Sequence, residues 1–166
     1  KCGDFSLEFD RTLVMGILNV TPDSFSDGGL FFDTNKAIKH AKLMVKDGAD
    51  IIDAGAESSR PGAESISADE ELKRVVPVVK RLVKEIDVPI SVDTYKPEVA
   101  EVCLGLGAHI VNDINGLRNP KMCDIVSKYN APVVIMHMQG TPKNMQENPA
   151  YSNVVDELKE FFRERI

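Results

Sequence analysis

The sequence predicts an α/β fold built on a parallel sheet, and two features predict it. Five short runs rich in Val and Ile recur along the chain, almost continuously apolar, as strands covered on both faces are. Between them the apolar residues fall at helical spacing, so strand and helix alternate throughout and successive strands join by right-handed crossovers. A doubly wound sheet and a (β/α)8 barrel both fit this order. A barrel typically takes about 250 residues, and five βα units in 166 residues keep its pace.

The elements follow in order. Phe5 to Phe9 alternates apolar and polar, which predicts a short half-exposed strand covering one end of the sheet. The five core strands are expected at Leu13–Val20, Asp50–Gly55, Pro89–Thr94, Ile110–Ile114 and Pro132–Met138. The first helix carries Ala37, Ile38, Ala41, Met44 and Val45 on one stripe and stops at Gly48. Ser67 and Glu70 have capping-box spacing ahead of a second stripe of Leu72, Val75, Val76, Val79 and Leu82. Pro77 lies inside it and should kink that helix or shift its start. Pro97 opens the third helix and Gly107 ends it. Asn119-Pro120 starts the fourth, with Met122, Ile125, Val126 and Tyr129 inward. Ser152 is expected to cap a fifth, striped by Val154, Val155, Leu158, Phe161 and Phe162.

Hydrophobic content of 43% and charged content of 28% suit a soluble globular domain able to bury a core. A net charge of −6, with no interleaving of basic and aromatic residues, argues against a nucleic-acid partner. No apolar run approaches the roughly 20 residues of a membrane span, and Lys1-Cys2-Gly3-Asp4 does not open a signal peptide. Cys2, Cys103 and Cys123 lack metal-type spacing and are expected to be free thiols, which places the protein in the cytoplasm.

Each strand run ends in a polar residue that packing does not require: Asn19; Asp53, leading on to Glu57; Asp93; Asn112-Asp113; and His137 with Gln139. One such residue is often only a helix cap. Five at matching phase converge, in a barrel, on the mouth where active sites lie. The first strand also feeds a loop, Asn19-Val-Thr-Pro-Asp-Ser-Phe-Ser-Asp-Gly-Gly29, with two carboxylates and a glycine pair that leaves it free to move.

That loop, with Gly48-Ala-Asp-Ile-Ile-Asp53, Glu57-Ser-Ser-Arg-Pro-Gly-Ala63, Ser91-Val-Asp-Thr94 with Lys96-Pro-Glu98, Val111-Asn-Asp-Ile-Asn-Gly116 and Met136-His-Met-Gln-Gly140, closely resembles dihydropteroate synthase. The resemblance runs the length of the chain and matches the N-terminal part of the family only. It implies a pterin-binding (β/α)8 TIM barrel over 1–166, truncated to about five βα units and incomplete at its C-terminus. It implies a transferase of folate biosynthesis that joins a 6-hydroxymethyl-7,8-dihydropterin pyrophosphate to p-aminobenzoate, releases pyrophosphate with the help of Mg2+, and is a target of sulfonamides.

On the same resemblance, Asp93, Asn112 and Met136 bind pterin, and a carboxylate such as Asp93 can accept two parallel hydrogen bonds from the pterin edge. Asn19 stands where the family meets magnesium and pyrophosphate, a neutral oxygen suited to a hard cation. Arg60 stands where the leaving pyrophosphate meets a guanidinium. Asn19, Arg60 and Asp93 are thus the expected catalytic residues. Phe25, Ser59 and Pro61 are expected to line the p-aminobenzoate site, with Ser59 replacing the family's frequent Thr. Segments Pro22–Phe32 and Ala56–Ser67 would close over both substrates. His137 is expected to be structural, and Asp113 is left open between ligand and scaffold.

Two alternatives remain. A pterin-binding methyltransferase barrel would be expected to lack the Thr-Pro-Asp-Ser-Phe-Ser-Asp and Ser-Arg-Pro-Gly stretches. A non-catalytic fragment with partial pterin binding would follow from the absence of the family's later Asp-Pro-Gly, Ser-Arg-Lys and Arg-x-His blocks. The encoded protein is therefore expected to continue past Ile166, and to be a homodimer when full length.

Overall fold

A computed structural model describes residues 2–21, 29–57 (the backbone alone for 29–33), 65–142 and 144–166. Its strands are β1 (Met15–Asn19), β2 (Ile51–Gly55), β3 (Ile90–Asp93), β4 (Ile110–Asp113) and β5 (Val133–Ile135). They alternate with α1 (Gly29–Lys46), α2 (Ala68–Glu85), α3 (Pro97–Gly105) and α4 (Pro120–Lys128), and α5 (Val154–Arg163) follows β5. The strands pair in parallel in the sequential order β1-β2-β3-β4-β5.

This order decides between the two architectures the sequence left open. A doubly wound sheet reverses its strand order at a switch point and sends helices to both faces. Here each strand lies beside its predecessor, so same-handed crossovers carry α1 to α4 to one face, as in a (β/α)8 barrel. Leu18, Ile52, Ala54, Ile90 and Val92 line that face and pack with Ala41, Val75, Val79, Leu82 and Val99 into the main core. A second cluster continues it under α4, around Val111 and Met122.

The helix stops and starts follow local chemistry. Ser67 Oγ accepts the amide of Glu70 at 3.2 Å, so α2 begins where the capping box predicts. Gly107, at φ 103°, ends the turn after α3; a side chain there would press on Val83 at 2.9 Å.

Several expectations need correction. Pro77 does not move the start of α2, which the Ser67 cap sets, and the helix continues past it. The proline lies on the solvent face, where water can satisfy the carbonyl one turn earlier. Gly29 to Phe32, expected within a loop, form the first turn of α1. No strand forms over Phe5–Phe9; a tight turn closed by the Cys2–Phe5 pair stands instead. Phe5 packs edge-on against His109, centroids 5.0 Å apart, whose Nδ1 accepts the amide of Ile90, so the segment still covers the strands' amino ends.

Tyr129 is not inward; it caps α4, more than a third exposed. Asn153 rather than Ser152 caps α5, accepting the amides of Val155 and Asp156. Val154 and Val155 are exposed, because α5 meets the rest of the chain through Phe161, beside Gly116 and His137, and Arg165 just past its end donates to the Gly116 carbonyl. The last strand is shorter than its apolar run. Met136 still donates its amide to Asp113, and Arg118 then gathers the carbonyls of Met138 and Gly140 into a turn. All three cysteines are free. Among the described residues no helix is long and apolar enough to cross a membrane.

Candidate active site

Strand residues alternate faces, so the concave face carries what the helix-facing side does not. Register sets it out in rows. Asn19 pairs with Gly55, Gly55 with Asp93, Asp93 with Asn112, and Asn112 with Val134. One row nearer the amino ends come Ile17, Asp53, Ser91 and Ile110. The upper row is thus mostly polar and lies at the carboxyl ends of consecutive strands, where barrel enzymes hold their ligands. The face is open: Ile17 is 64% exposed and Val134 42%.

Asp93 is the most perturbed group there. Burial pushes its carboxyl up to about 7, and the negative charges of Asp53, Glu71, Asp113 and Glu57 push the same way. Gly55 has no side chain to screen it; a methyl group there would sit 3.2 Å from Asp93 Cβ and 3.3 Å from Oδ2. Asn112 donates Nδ2–H to Asp53 Oδ2 at 2.9 Å. Asp113, in contrast, turns into its own loop and accepts the amides of Asn115 and Leu117, each at 2.8 Å, which makes it scaffold.

Asn19 ends β1 exposed on the concave face. Alternation puts Met136, one residue past β5, on the same side as Val134. His137 packs between Tyr151 and Phe161, ring centroids 5.9 and 4.8 Å away, so it belongs to an aromatic contact holding α5. Asn19, Asp93, Asn112 and Met136 therefore share one end of the sheet. Phe25, Ser59, Arg60 and Pro61 lie outside the described residues, as do most of the two segments expected to close over the site. Among the described residues no three acidic, His or Cys side chains form a metal-type cluster.

Sequence reasoning missed an ionic network behind this row. Lys96 Nζ bridges Glu57 and Glu71, the latter at 2.5 Å and only 1% exposed. Glu57 also accepts the Tyr95 hydroxyl at 2.7 Å and the Ile66 amide at 3.1 Å. Burial opposes its charge, but these donors hold its carboxyl below the usual range. A signal was present: Glu71 falls at helical spacing with Val75, Val78 and Leu82, on the inward stripe of α2. A charge on a buried stripe announces a partner.

Hydrogen-bond acceptors gathered at the carboxyl ends of successive parallel strands, over a helix-backed core, have the layout of a barrel-type ligand site. The family model for pterin binding enzymes matches residues 15–166, and the chain belongs to that family. It is 52% identical over 161 residues to the dihydropteroate synthase of Escherichia coli K12, covering 97% of this chain and 57% of that relative. It superposes on Yersinia pestis dihydropteroate synthase, solved with a sulfonamide drug complex, with a TM-score of 0.91 at 47% identity over 99% of this chain and 60% of that one. For the Xanthomonas albilineans dihydropteroate synthase solved with 4-aminobenzoic acid the values are 0.86 and 45%, over 99% and 58%. The chain thus spans somewhat more than half the length of these relatives.

Proposed function

We propose that the protein carrying this chain is a dihydropteroate synthase, condensing 6-hydroxymethyl-7,8-dihydropterin pyrophosphate with p-aminobenzoate. The observation that carries this is the pairing of Asp93 with Asn112 at the carboxyl ends of β3 and β4, beside the bare backbone of Gly55. A pterin presents adjacent ring N–H and amino donors along a flat edge. Asp93 as a carboxylate accepts two of them, and such charge-assisted bonds are the stronger kind. Met136 packs against the ring face, and a polarisable thioether suits that contact.

Asn19, exposed at the end of β1, would hold Mg2+ through a neutral amide oxygen of the kind a hard cation takes. That ion would supply charge neutralisation at the leaving group. Arg60 offers the pyrophosphate a guanidinium fork, and Phe25, Ser59 and Pro61 line the p-aminobenzoate side. In the reaction the bond from the pterin methylene carbon to the pyrophosphate oxygen breaks. The amine nitrogen of p-aminobenzoate bonds to that carbon and its proton is lost to water. Such a displacement needs positioning and charge stabilisation more than a nucleophile or strong base. The domain 1–166 supplies the pterin pocket and the pyrophosphate side, in the cytoplasm and within a homodimer.

The test combines turnover with one variant. Pyrophosphate release dependent on p-aminobenzoate, with dihydropteroate as product, is expected of the protein. Asp93→Ala should weaken pterin binding at least about a hundredfold, which corresponds to roughly 2.7 kcal/mol. Undiminished binding in a folded Asp93→Ala protein removes the assignment.

A further inference from the structure

Asp53 has no role in the site as proposed, yet it sits directly beneath it. It lies on the concave face of β2, 3% exposed, one row below Gly55 and Asp93. Its Oδ2 accepts from Asn112 Nδ2 at 2.9 Å. Its Oδ1 is buried without a partner among the described residues, and so is the Oγ of Ser91, its register neighbour on β3. A buried carboxylate is costly unless something uses it. Packing alone would favour an apolar residue, as the same strand shows on its other face with Ile52 and Ala54.

The hydrogen bond has a consequence for Asn112. An amide has a donor end and an acceptor end, whereas a carboxylate only accepts. Asp53 therefore takes the NH2 end and leaves the Asn112 oxygen directed elsewhere. Asn112 and Asp93 are register partners, so the upper row then offers acceptors from two adjacent strands. We propose that Asp53 is a positioning residue of the pterin site, holding the Asn112 amide with its oxygen toward the ligand so that Asn112 and Asp93 together select a donor-rich edge. This rests on the proposed function and adds what sets its specificity. Without Asp53 the amide can turn over and present a donor to a donor, and a mismatch of that kind leaves a buried polar group unpaired.

A double-mutant cycle tests it, with affinity for 6-hydroxymethyl-7,8-dihydropterin pyrophosphate measured by titration calorimetry. Asp53→Ala should weaken binding about tenfold with Asn112 present and about twofold or less in an Asn112→Ala background. The preference for 6-hydroxymethylpterin over 6-hydroxymethyllumazine, in which a carbonyl replaces the amino donor, should fall about tenfold in Asp53→Ala. A role in folding alone would leave that preference where it was. Equal losses in the two backgrounds, or an unchanged preference, would overturn the inference. Should Asp53→Ala fail to fold, Asp53→Leu, close in shape and without an acceptor, goes through the same cycle with the same expectations. Failure of the wild-type protein to bind the pterin would instead overturn the proposed function, and this inference with it.

Discussion

The two faces of the sheet are built from the same strands by opposite rules. On the helix-facing side Leu18, Ile52, Ala54, Ile90, Val92 and Val111 are essentially fully buried and wholly apolar. On the concave side the residues between them are Asn19, Asp53, Ser91, Asp93 and Asn112, with Ile110 buried beside Ser91 and with Ile17 and Val134 open to solvent. Stability resides in the first set. The second set spends some of it: Asp93 is crowded by four other carboxylates, and Asp53 leaves an oxygen without a partner among the described residues. A single residue's step along a strand separates the two regimes.

Substitutions on the two sides should therefore differ in sign as well as size. Ile52→Ala removes a fully buried side chain from the apolar face and should cost about 4 kcal/mol in urea unfolding. The folded fraction should keep its pterin affinity, and a large loss of affinity would mean that the faces are not separable.

Asp93→Asn should act the other way. The carboxyl keeps its proton to about pH 7 in the folded chain but only to 3.8, its ordinary value, when unfolded. The folded state binds more protons between those limits, so this group's contribution is fully present below about pH 4 and is lost as pH rises through about 7. A neutral amide escapes that loss. Asp93→Asn should stabilise by about 2–4 kcal/mol at pH 8 and hardly at all at pH 4. Equal urea midpoints for variant and wild type at pH 8 would show that Asp93 is not under this strain.

Gly55→Ala probes the boundary between the faces. The methyl would crowd the Asp93 carboxylate from 3.3 Å. Pterin affinity should drop about tenfold, while stability stays level or rises by about 0.5 kcal/mol as the unfolded chain loses freedom. Wild-type affinity in this variant would show that Asp93 can move aside. The smallest effect lies far from both faces: Asn153→Ala should remove about 1 kcal/mol by uncapping α5, seen as a modest drop in melting temperature with binding unchanged.

Much of this contrast was legible in the sequence. Strand runs, helix stripes and the caps at Ser67 and Asn119 are local signals, and Asn19, Asp93 and Asn112 do share one row end, whereas Asp53 lies one row lower and His137 turns to Tyr151 and Phe161. What was illegible depended on pairing. Nothing local says that Asn112 leans on Asp53, 59 residues earlier, because that contact exists only once β2, β3 and β4 are in register. The Lys96 network joins three segments in the same way. Phe5–Phe9 misled for a related reason: its alternation is that of a strand, but the segment closes on itself and turns Phe5 onto His109.

The sequential strand order also has a kinetic meaning. Every strand of the arc pairs with the one synthesised just before it, across a single helix. Such a sheet needs no distant segment to close each pairing, which keeps the chain-closure entropy of each step low. It can grow in the order in which the ribosome delivers it, each new unit docking on a finished edge. The acidic floor around Asp53 and Asp93 depends on that growth, because its hydrogen bonds exist only where β2, β3 and β4 are in register.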